Sequence, residues 1–502
     1  MVKRVIKIDS INLLSWGKDR SSDVAVDPDL IGDIDNPSFD TINYAIKAQQ
    51  QRIDRFDLLE NYYQGNQQII SRRLSDTLGK ANQKVIANHA KYITDMNVGF
   101  TTGNPISIAA AEGKNIKPIQ EAFDEMDVDS HNTELEKDLS VLGSAYELLY
   151  IKKTDVVNAE MAIQKLDPRK TILVTDDSVD HNPLFAVYYF PKLDLLGNPN
   201  GYLITVYTQK NIISYRTKIG YELSGTNIAD GYPRTTQHFF GDVPVVSYQN
   251  NEEKQGDFEQ AISLIDAYNE LQSDRITDKR NFVDAILVLF GFTLDDENSI
   301  DKAHSVIQAP SKTGDNAADV EWLTKSFDES QMQTLADSIK NDILQMTYVP
   351  NLLDQNFSSN ASGVAIKYKL FGLYQLLATK ERYLAKGMRQ RMQLMQNLLV
   401  FKGQQCDATG AIISINPNIP VDMASIISDI KNADGVIPQK VALSWLPGQN
   451  DPDEMIKELQ QEKADNIKMQ DKILGGTALT ENKTIDDNGN VIDKQQKSDD
   501  ES

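Results

Sequence analysis

A chain of 502 residues is too long for one ordinary hydrophobic core and implies roughly two to four structural units. Hydrophobic residues at 40% and charged residues at 25% fit a soluble globular chain, while a formal net charge of −22 argues against a protein that grips nucleic acid mainly by its phosphates. No apolar run reaches the roughly 18 residues of a membrane span, Lys3, Arg4, Lys7 and Asp9 interrupt any signal-like start, and the single cysteine, Cys406, allows neither an intrachain disulfide nor a cysteine-built zinc site, so a cytoplasm-like compartment is expected.

Residues 1–40 are rich in Asp with scattered Pro and Gly (Asp27, Pro28, Asp29, Gly32, Asp33, Asp35, Pro37) and read as an arm without a core of its own, either disordered or packed on a neighbouring copy. From 43 to 63, Ile46, Ile53, Phe56, Leu59 and Tyr62 recur at helical spacing, with Gly65 placed to stop the helix. A helix with one apolar face precedes the turn Gly103-Asn104-Pro105. Over 140–153 a helix passes into a strand; Gly143 and Ala145 admit close backbone approach, and Glu147 stands in an apolar run where it must be paired or at a surface. No second acid or histidine accompanies it at useful spacing, so a structural ion pair is expected ahead of a catalytic role.

Between 161 and 248 the pattern changes to strands, at 172–174, 185–190, 202–207 and 211–215, separated by the turn signals Asn182-Pro183, 197–201 and Gly231-Tyr232-Pro233. They predict one half-buried antiparallel sheet, closed by 238–251. Its tyrosines suit core and interface packing; base stacking is the alternative, but no dense Lys/Arg pattern accompanies them.

A helix over 257–280, about 36 Å long at 1.5 Å per residue, carries the narrow apolar stripe Ile262, Ile265, Tyr268 and Leu271. A second, over 328–346, carries Met332, Leu335, Ile339, Ile343 and Met346. Each stripe needs more burial than the other supplies. Neighbouring copies in a closed ring would provide it, a helical hairpin on one large domain being the alternative. Short strands at 286–290, 305–309 and 320–323 lie between these helices, around the polar loop 311–319.

Val349-Pro350-Asn351 ends the second helix, and 352–362 is a loop whose one charge is Asp354. A helix of about forty residues then runs to 402, packing through Leu370, Phe371, Leu373, Tyr374, Leu377, Leu384, Met388, Met392, Met395 and Leu399, with Gly372 or Gly387 admitting a bend. Past 403 come an apolar patch at 411–415 and helical patterns at 421–432, 439–446 and 450–468. After 477 the chain is polar and charged and is expected to be disordered. Asp486-Asp487-Asn488-Gly489 is similar to a calcium loop, but Thr484 stands where its first carboxylate belongs, so no metal is expected.

Several blocks now fall into order: Tyr62-Tyr63-Gln64-Gly65, Ile69-Ile70, Arg72-Arg73, the Asn-rich stretch 82–94 leading to Gly103-Asn104-Pro105-Ile106, and Gly143-Ser144-Ala145-Tyr146-Glu147. Val243-Pro244-Val245-Val246 follows, with Tyr248, Asn250 and Asn251, into Gly256-Asp257-Phe258, and finally Ser362-Gly363-Val364-Ala365. Together they resemble the portal proteins of tailed bacteriophages, most closely the Gp6-like (SPP1-type) portals of siphophages infecting Gram-positive bacteria.

The resemblance implies an α+β portal fold: an arm (1–40), an α+β wing (41–256), a two-helix stem (257–281 and 328–348) around a small α/β clip (282–327), and a tunnel loop (349–362). A long kinked helix (363–402), an α-helical crown (403–470) and an acidic tail (471–502) complete it. It also implies a dodecameric ring at one capsid vertex that conducts double-stranded DNA without sequence preference during packaging and ejection and nucleates head assembly. The implied partners are the terminase large subunit, a head-completion adaptor, and the major capsid and scaffolding proteins. The virion, and the host cytoplasm during assembly, are the implied locations; no cofactor, metal or membrane is implied.

On this reading Asn351, Gln355, Asn356, Ser358, Ser359 and Asn360 line the channel, where they exchange hydrogen bonds with phosphate without holding it; an ordinary surface loop is the alternative. Lys340, Lys367 and Lys369 are candidate channel cations, and Ile286, Val288, Phe290, Val306, Ile307 and Trp322 form the clip interface. The negative charge agrees with a wall that holds passing DNA loosely. The competing class is a DNA-processing enzyme or packaging-motor subunit. The five histidines (His89, His131, His181, His238, His304) are scattered, and HExxH, nucleophile-elbow and Walker patterns are absent; Lys312-Thr313-Gly314 has its glycine on the wrong side.

Overall fold

The computed structural model describes residues 23–69, 83–153, 159–282, 286–290, 306–309, 319–323, 329–351, 368–419, 423–433, 435–443, 446, 452–473, 483–485 and 491–493. They divide into two compact units, Met1–Ile419 and Pro420–Ser502.

In the first unit, strand β1 (Val24–Val26) and helix α1 (Pro28–Ile31) lead into α2 (Phe39–Gln64). Ser38 caps α2 by accepting the Thr41 N–H, and Gly65 ends it in the left-handed conformation that favours glycine. Then follow α3 (His89–Thr102), β2 (Ser107–Ala109), α4 (Lys117–Met126), α5 (Val128–Leu142), β3 (Ser144–Lys153) and β4 (Ala159–Leu166). Strands β5 (Thr171–Asp176), β6 (Pro183–Leu193), β7 (Pro199–Tyr207), β8 (Asn211–Arg216), β9 (Arg234–Gln237) and β10 (Val245–Gln249) come next. Helix α6 (Ile262–Phe282), strands β11 (Ile286–Phe290), β12 (Val306–Ala309) and β13 (Asp319–Leu323), α7 (Glu329–Met346), α8 (Phe371–Phe401) and β14 (Ile412–Ser414) complete it.

The tyrosine-rich region makes two sheets where the sequence suggests one. Strands β1-β5-β6-β7-β8-β9 form a six-stranded sheet, antiparallel except for the β1–β5 pair, whereas β10 joins β3 and β4 in a second sheet. The cause is local. Gly143 turns with φ +79, so tightly that an added Cβ would lie 2.1 Å from the Lys254 carbonyl oxygen, and the Asn250 N–H donates to the Gly143 carbonyl. The 250–254 segment is thereby tied to the start of β3, and β10 pairs there, with Val245, Val246 and Tyr248 all 0% exposed. Tyr189, Tyr207 and Tyr215 are buried, which fits packing and leaves them unavailable for base stacking.

The arm also differs from expectation. From Val24 it adds a parallel strand beside β5, and Val24 and Ile31 enter the core of that sheet; residues 1–22 lie outside the described residues. Strand β14 pairs with β2, and Ala411, Ile413 and Ile415 are buried with α8, so 403–419 belongs to the first unit.

The second unit contains α9 (Met423–Asn432), α10 (Gln439–Leu443) and α11 (Pro452–Ile473). The tail, expected to be structureless, holds an antiparallel pair, β15 (Lys483–Ile485) with β16 (Val491–Asp493). The suspected calcium loop between these strands lies outside the described residues.

Candidate functional site: a helical pair and the anchors of the long helix

Helices α6 and α7 pack together through Ile262 and Ile265 against Ile343 and Leu344. Arg275 ties them farther along, donating to Glu329 and, at 3.0 Å, to Gln333. A polar ladder fixes α6 to the chain before α3: Asn269, Ser273 and Thr277, four residues apart, accept the N–H groups of Ala87, Val85 and Gln83 at 2.9, 3.0 and 3.1 Å. Four helical residues rise about 6.0 Å and two extended residues about 6.6 Å, so the periods match closely enough for three successive rungs.

The predicted α7 stripe is only partly covered. Ile343 is buried, whereas Leu335 and Met346 are 49% and 56% exposed. Helix α8 begins beside the end of α7: Tyr348, at φ +59, places its ring 3.4 Å from where a Cβ would stand on Gly372. Tyr348, Tyr368 and Phe371 are all exposed there, so Phe371, expected on the packing face of the long helix, lies on its outer side.

Of the predicted loop residues, Asn351 is half-buried, and Gln355, Asn356, Ser358, Ser359 and Asn360 lie outside the described residues, as does the candidate channel cation Lys367. Lys369 is exposed, while Lys340 is half-buried beside His89, whose imidazole is held below its ordinary range by burial and then by that lysine's charge. Among the predicted clip residues, β11 pairs with β12 in parallel (Val288 opposite Ile307, Leu287 opposite Val306) and with β13 antiparallel (Leu287 opposite Trp322, Ile286 opposite Leu323, Phe290 opposite Asp319).

Helix α8 is anchored by two buried ion centres that sequence reading missed. Lys380 bonds Glu136 and Asp257, each at 2.7 Å, and Asp257 also accepts Ser140 Oγ at 2.6 Å and Asn250 Nδ2 at 2.8 Å. Glu136 holds Lys380 through one oxygen, and its other oxygen is buried without a hydrogen-bond partner; burial pushes its carboxyl up, with Lys380 opposing and Asp257 adding. Eleven residues on, Arg391 meets Glu147 through Nη2 at 2.6 Å and Nε at 2.9 Å, and reaches Asn132 at 2.8 Å.

Glu147 is fully buried, as a structural ion pair, but it is accompanied by a histidine after all: His131 Nε2 lies 2.7 Å away, brought there by α5. Burial alone would push the Glu147 carboxyl up; Arg391 and then His131 outweigh it and hold it below the ordinary range. Both Glu147 oxygens are engaged, Oε1 by Arg391 and Tyr248 and Oε2 by His131 and Arg391, which leaves no free base. A cavity of about 520 Å³ is lined by His181, Ser247, Gln249, Lys254 and Lys386 among others, not by Glu147 or His131.

Gly387 serves packing. A Cβ there would lie 2.4 Å from the buried Tyr248 ring, so the glycine lets β10 press against α8, which runs as one uninterrupted helix. The missed signal was charge on an apolar stripe: Lys380 stands between Leu377 and Leu384, and Arg391 between Met388 and Met395. Among the described residues, no group of His, Cys, Asp and Glu is placed to hold a metal ion, and no helix is long and apolar enough to cross a membrane.

Residues 42–469 match the family described as phage portal protein, SPP1 Gp6-like. The portal protein of Bacillus phage SPP1 is 21% identical over 418 residues, 79% of each chain. That of Clostridium phage phiCD119 is 25% identical over 239 residues, 46% of this chain and 50% of that relative. A match running from α2 into α11 takes in α6, α7 and all of α8, and on it the chain belongs to the SPP1 Gp6-like family of phage portal proteins.

Proposed function

We propose that the chain is the subunit of a dodecameric ring at one capsid vertex, through which double-stranded DNA enters during packaging and leaves during ejection. The observation that carries this reading is the family match over residues 42–469; phage portal proteins are structural components of the virion, and no catalytic role is proposed. Residues 41–256 act as the wing, α6 and α7 as the stem, and 282–327 as the clip that meets the terminase large subunit and later the head-completion adaptor. The 403–470 region acts as the crown. Scaffolding and major capsid proteins surround the ring as it nucleates the head in the host cytoplasm.

The stem supports the ring reading, because Leu335 and Met346 keep apolar surface that a second copy would cover. Asn351 and the 355–360 amides and hydroxyls line the channel with Lys340, Lys367 and Lys369, and Ile286, Val288, Phe290, Val306, Ile307 and Trp322 join neighbouring clips.

Negative-stain imaging and a mass measurement of the purified particle test the ring, and a chain that stays monomeric at every concentration refutes it. Shortening 355–360 or replacing Gly363 should leave rings intact and impair packaging; normal packaging refutes the tunnel assignment. An ATPase assay separates this reading from a motor subunit, which must hydrolyse nucleotide.

A further inference from the structure

The exposed residues of α8 fall on one stripe, apolar at its ends, where Phe371 and Phe401 are 59% and 64% exposed, and cationic in its middle, at Arg382, Lys386 and Arg389. Spacings of four and three keep the cations on one face over about 10.5 Å. The stripe contains no acid; Glu381, the one acid in α8, is half-buried and accepts the Ile415 N–H. Among the described residues, none of the three cations forms an ion pair.

In a chain of net charge −22 such a face has its complement elsewhere, and the same unit presents one. On α4 and the first turn of α5, Glu121, Asp124, Glu125, Asp127 and Asp129 are all exposed, against a single cation, Lys117, which pairs with Glu121 at 3.7 Å. Helix α4 turns Ile119 and Phe123 into the core cluster that α8 also fills, so its acids face outward. They crowd one another: the Asp129 carboxyl is pushed up by partial burial and then by Asp127 and Asp124.

We propose that these surfaces meet between copies, Arg382, Lys386 and Arg389 of one chain docking on Asp124, Asp127 and Asp129 of the next. The proposal rests on the ring reading and names the faces that close the ring. Two different patches make a heterologous contact, and repetition of such a contact closes a ring when the rotation permits. Aromatic ends around an arginine-bearing centre are the residue types enriched at protein interfaces, and they favour a protein partner over a phosphate backbone, which needs no exposed phenylalanines. The charges would set partner orientation and association rate, and the apolar ends would supply dry contact.

The test uses the full chain in two charge-reversal variants, R382E/R389E and D124K/D127K, with ring content followed by mass photometry across concentration and salt. Each variant alone should raise the concentration for half-assembly by about tenfold or more. An equimolar mixture should restore rings, because every junction of an alternating ring regains opposite charges, and the quadruple variant should assemble by itself. Recovery also shows that each variant folds. Either double variant assembling like the wild type overturns the proposal, as does failure of the mixture to recover. Unchanged assembly with loss of DNA retention would assign the stripe to phosphate and overturn it as well. If the unsubstituted chain forms no ring, the ring reading itself has failed.

Discussion

Replacing Arg391 by Met removes one charge from the interior and leaves another behind, so it tests directly how α8 is held. Arg391 and Glu147 are both 0% exposed and joined by two contacts, at 2.6 and 2.9 Å. Methionine is flexible and close in length, so the cavity contribution stays small. What remains is a buried carboxylate with only His131 at 2.7 Å and Tyr248 at 3.2 Å. Breaking a buried pair from one side costs about 3–5 kcal/mol, against a typical total stability of about 5–15 kcal/mol. His131 places the expected cost near the lower figure, and adding Glu147→Gln, which removes the stranded charge, should recover about half of it.

The pH dependence has a definite sign. Because its folded value is depressed, Glu147 contributes stability above the ordinary carboxylate range that is lost as pH falls through the folded value. Without Arg391, burial dominates and the folded value rises above the unfolded one, so the penalty is largest at neutral pH and relieved on acidification. The stability gap between the two proteins should therefore narrow from about pH 7 to about pH 5. Urea unfolding followed by far-UV circular dichroism, at one fixed protein concentration, measures it. A cost below about 1 kcal/mol, the range of an exposed pair, or a gap that does not change with pH, would refute the reasoning.

Gly387→Ala should destabilise by about 1–2 kcal/mol, because overpacking against the Tyr248 ring outweighs the helix-propensity gain. Gly372→Ala, whose Cβ would find 3.4 Å of clearance, should be neutral or stabilising; equal urea midpoints for the two variants would show that Gly387 is not a packing device. Asp138, paired with Lys165 at 3.0 Å, has its carboxyl pushed up to about 6 by burial, with Lys165 opposing and Asp167 and Glu60 adding. A raised folded value means that stability falls as pH rises from about 4 to about 6, so Asp138→Asn should flatten that part of the stability–pH curve. A slope unchanged by the substitution would exclude Asp138 as its source.

What could be read from the chain alone depended on local period. Ile262 and Ile265 mark α6, whose observed start is five residues later than expected; Ile339 and Ile343 mark α7, and the short alternating blocks mark β11, β12 and β13, each within one residue of its observed start. The partner of β10 was not legible, because Val245, Val246 and Tyr248 would suit any sheet, and the choice was made by Gly143 and Asn250, about a hundred residues apart. The stripe of α7 was legible as apolar, but its burial was not: Leu335 and Met346 are exposed while Ile343 is buried.

The ion centres of α8 were hidden for a related reason, and they do what its apolar face cannot. Leu384, Met388, Met392, Met395 and Leu399 specify which side of the helix is buried, but a methionine-rich face adapts to a small slip with little loss. Lys380 and Arg391, eleven residues apart and so about three turns along the same face, cannot slip without stranding Glu136, Asp257 and Glu147 in the core. Buried charge thus fixes the register of α8 where packing alone would leave it loose. Glu147, the one member whose need for a partner was visible in its apolar run, finds that partner 244 residues away, a separation that no sequence window spans.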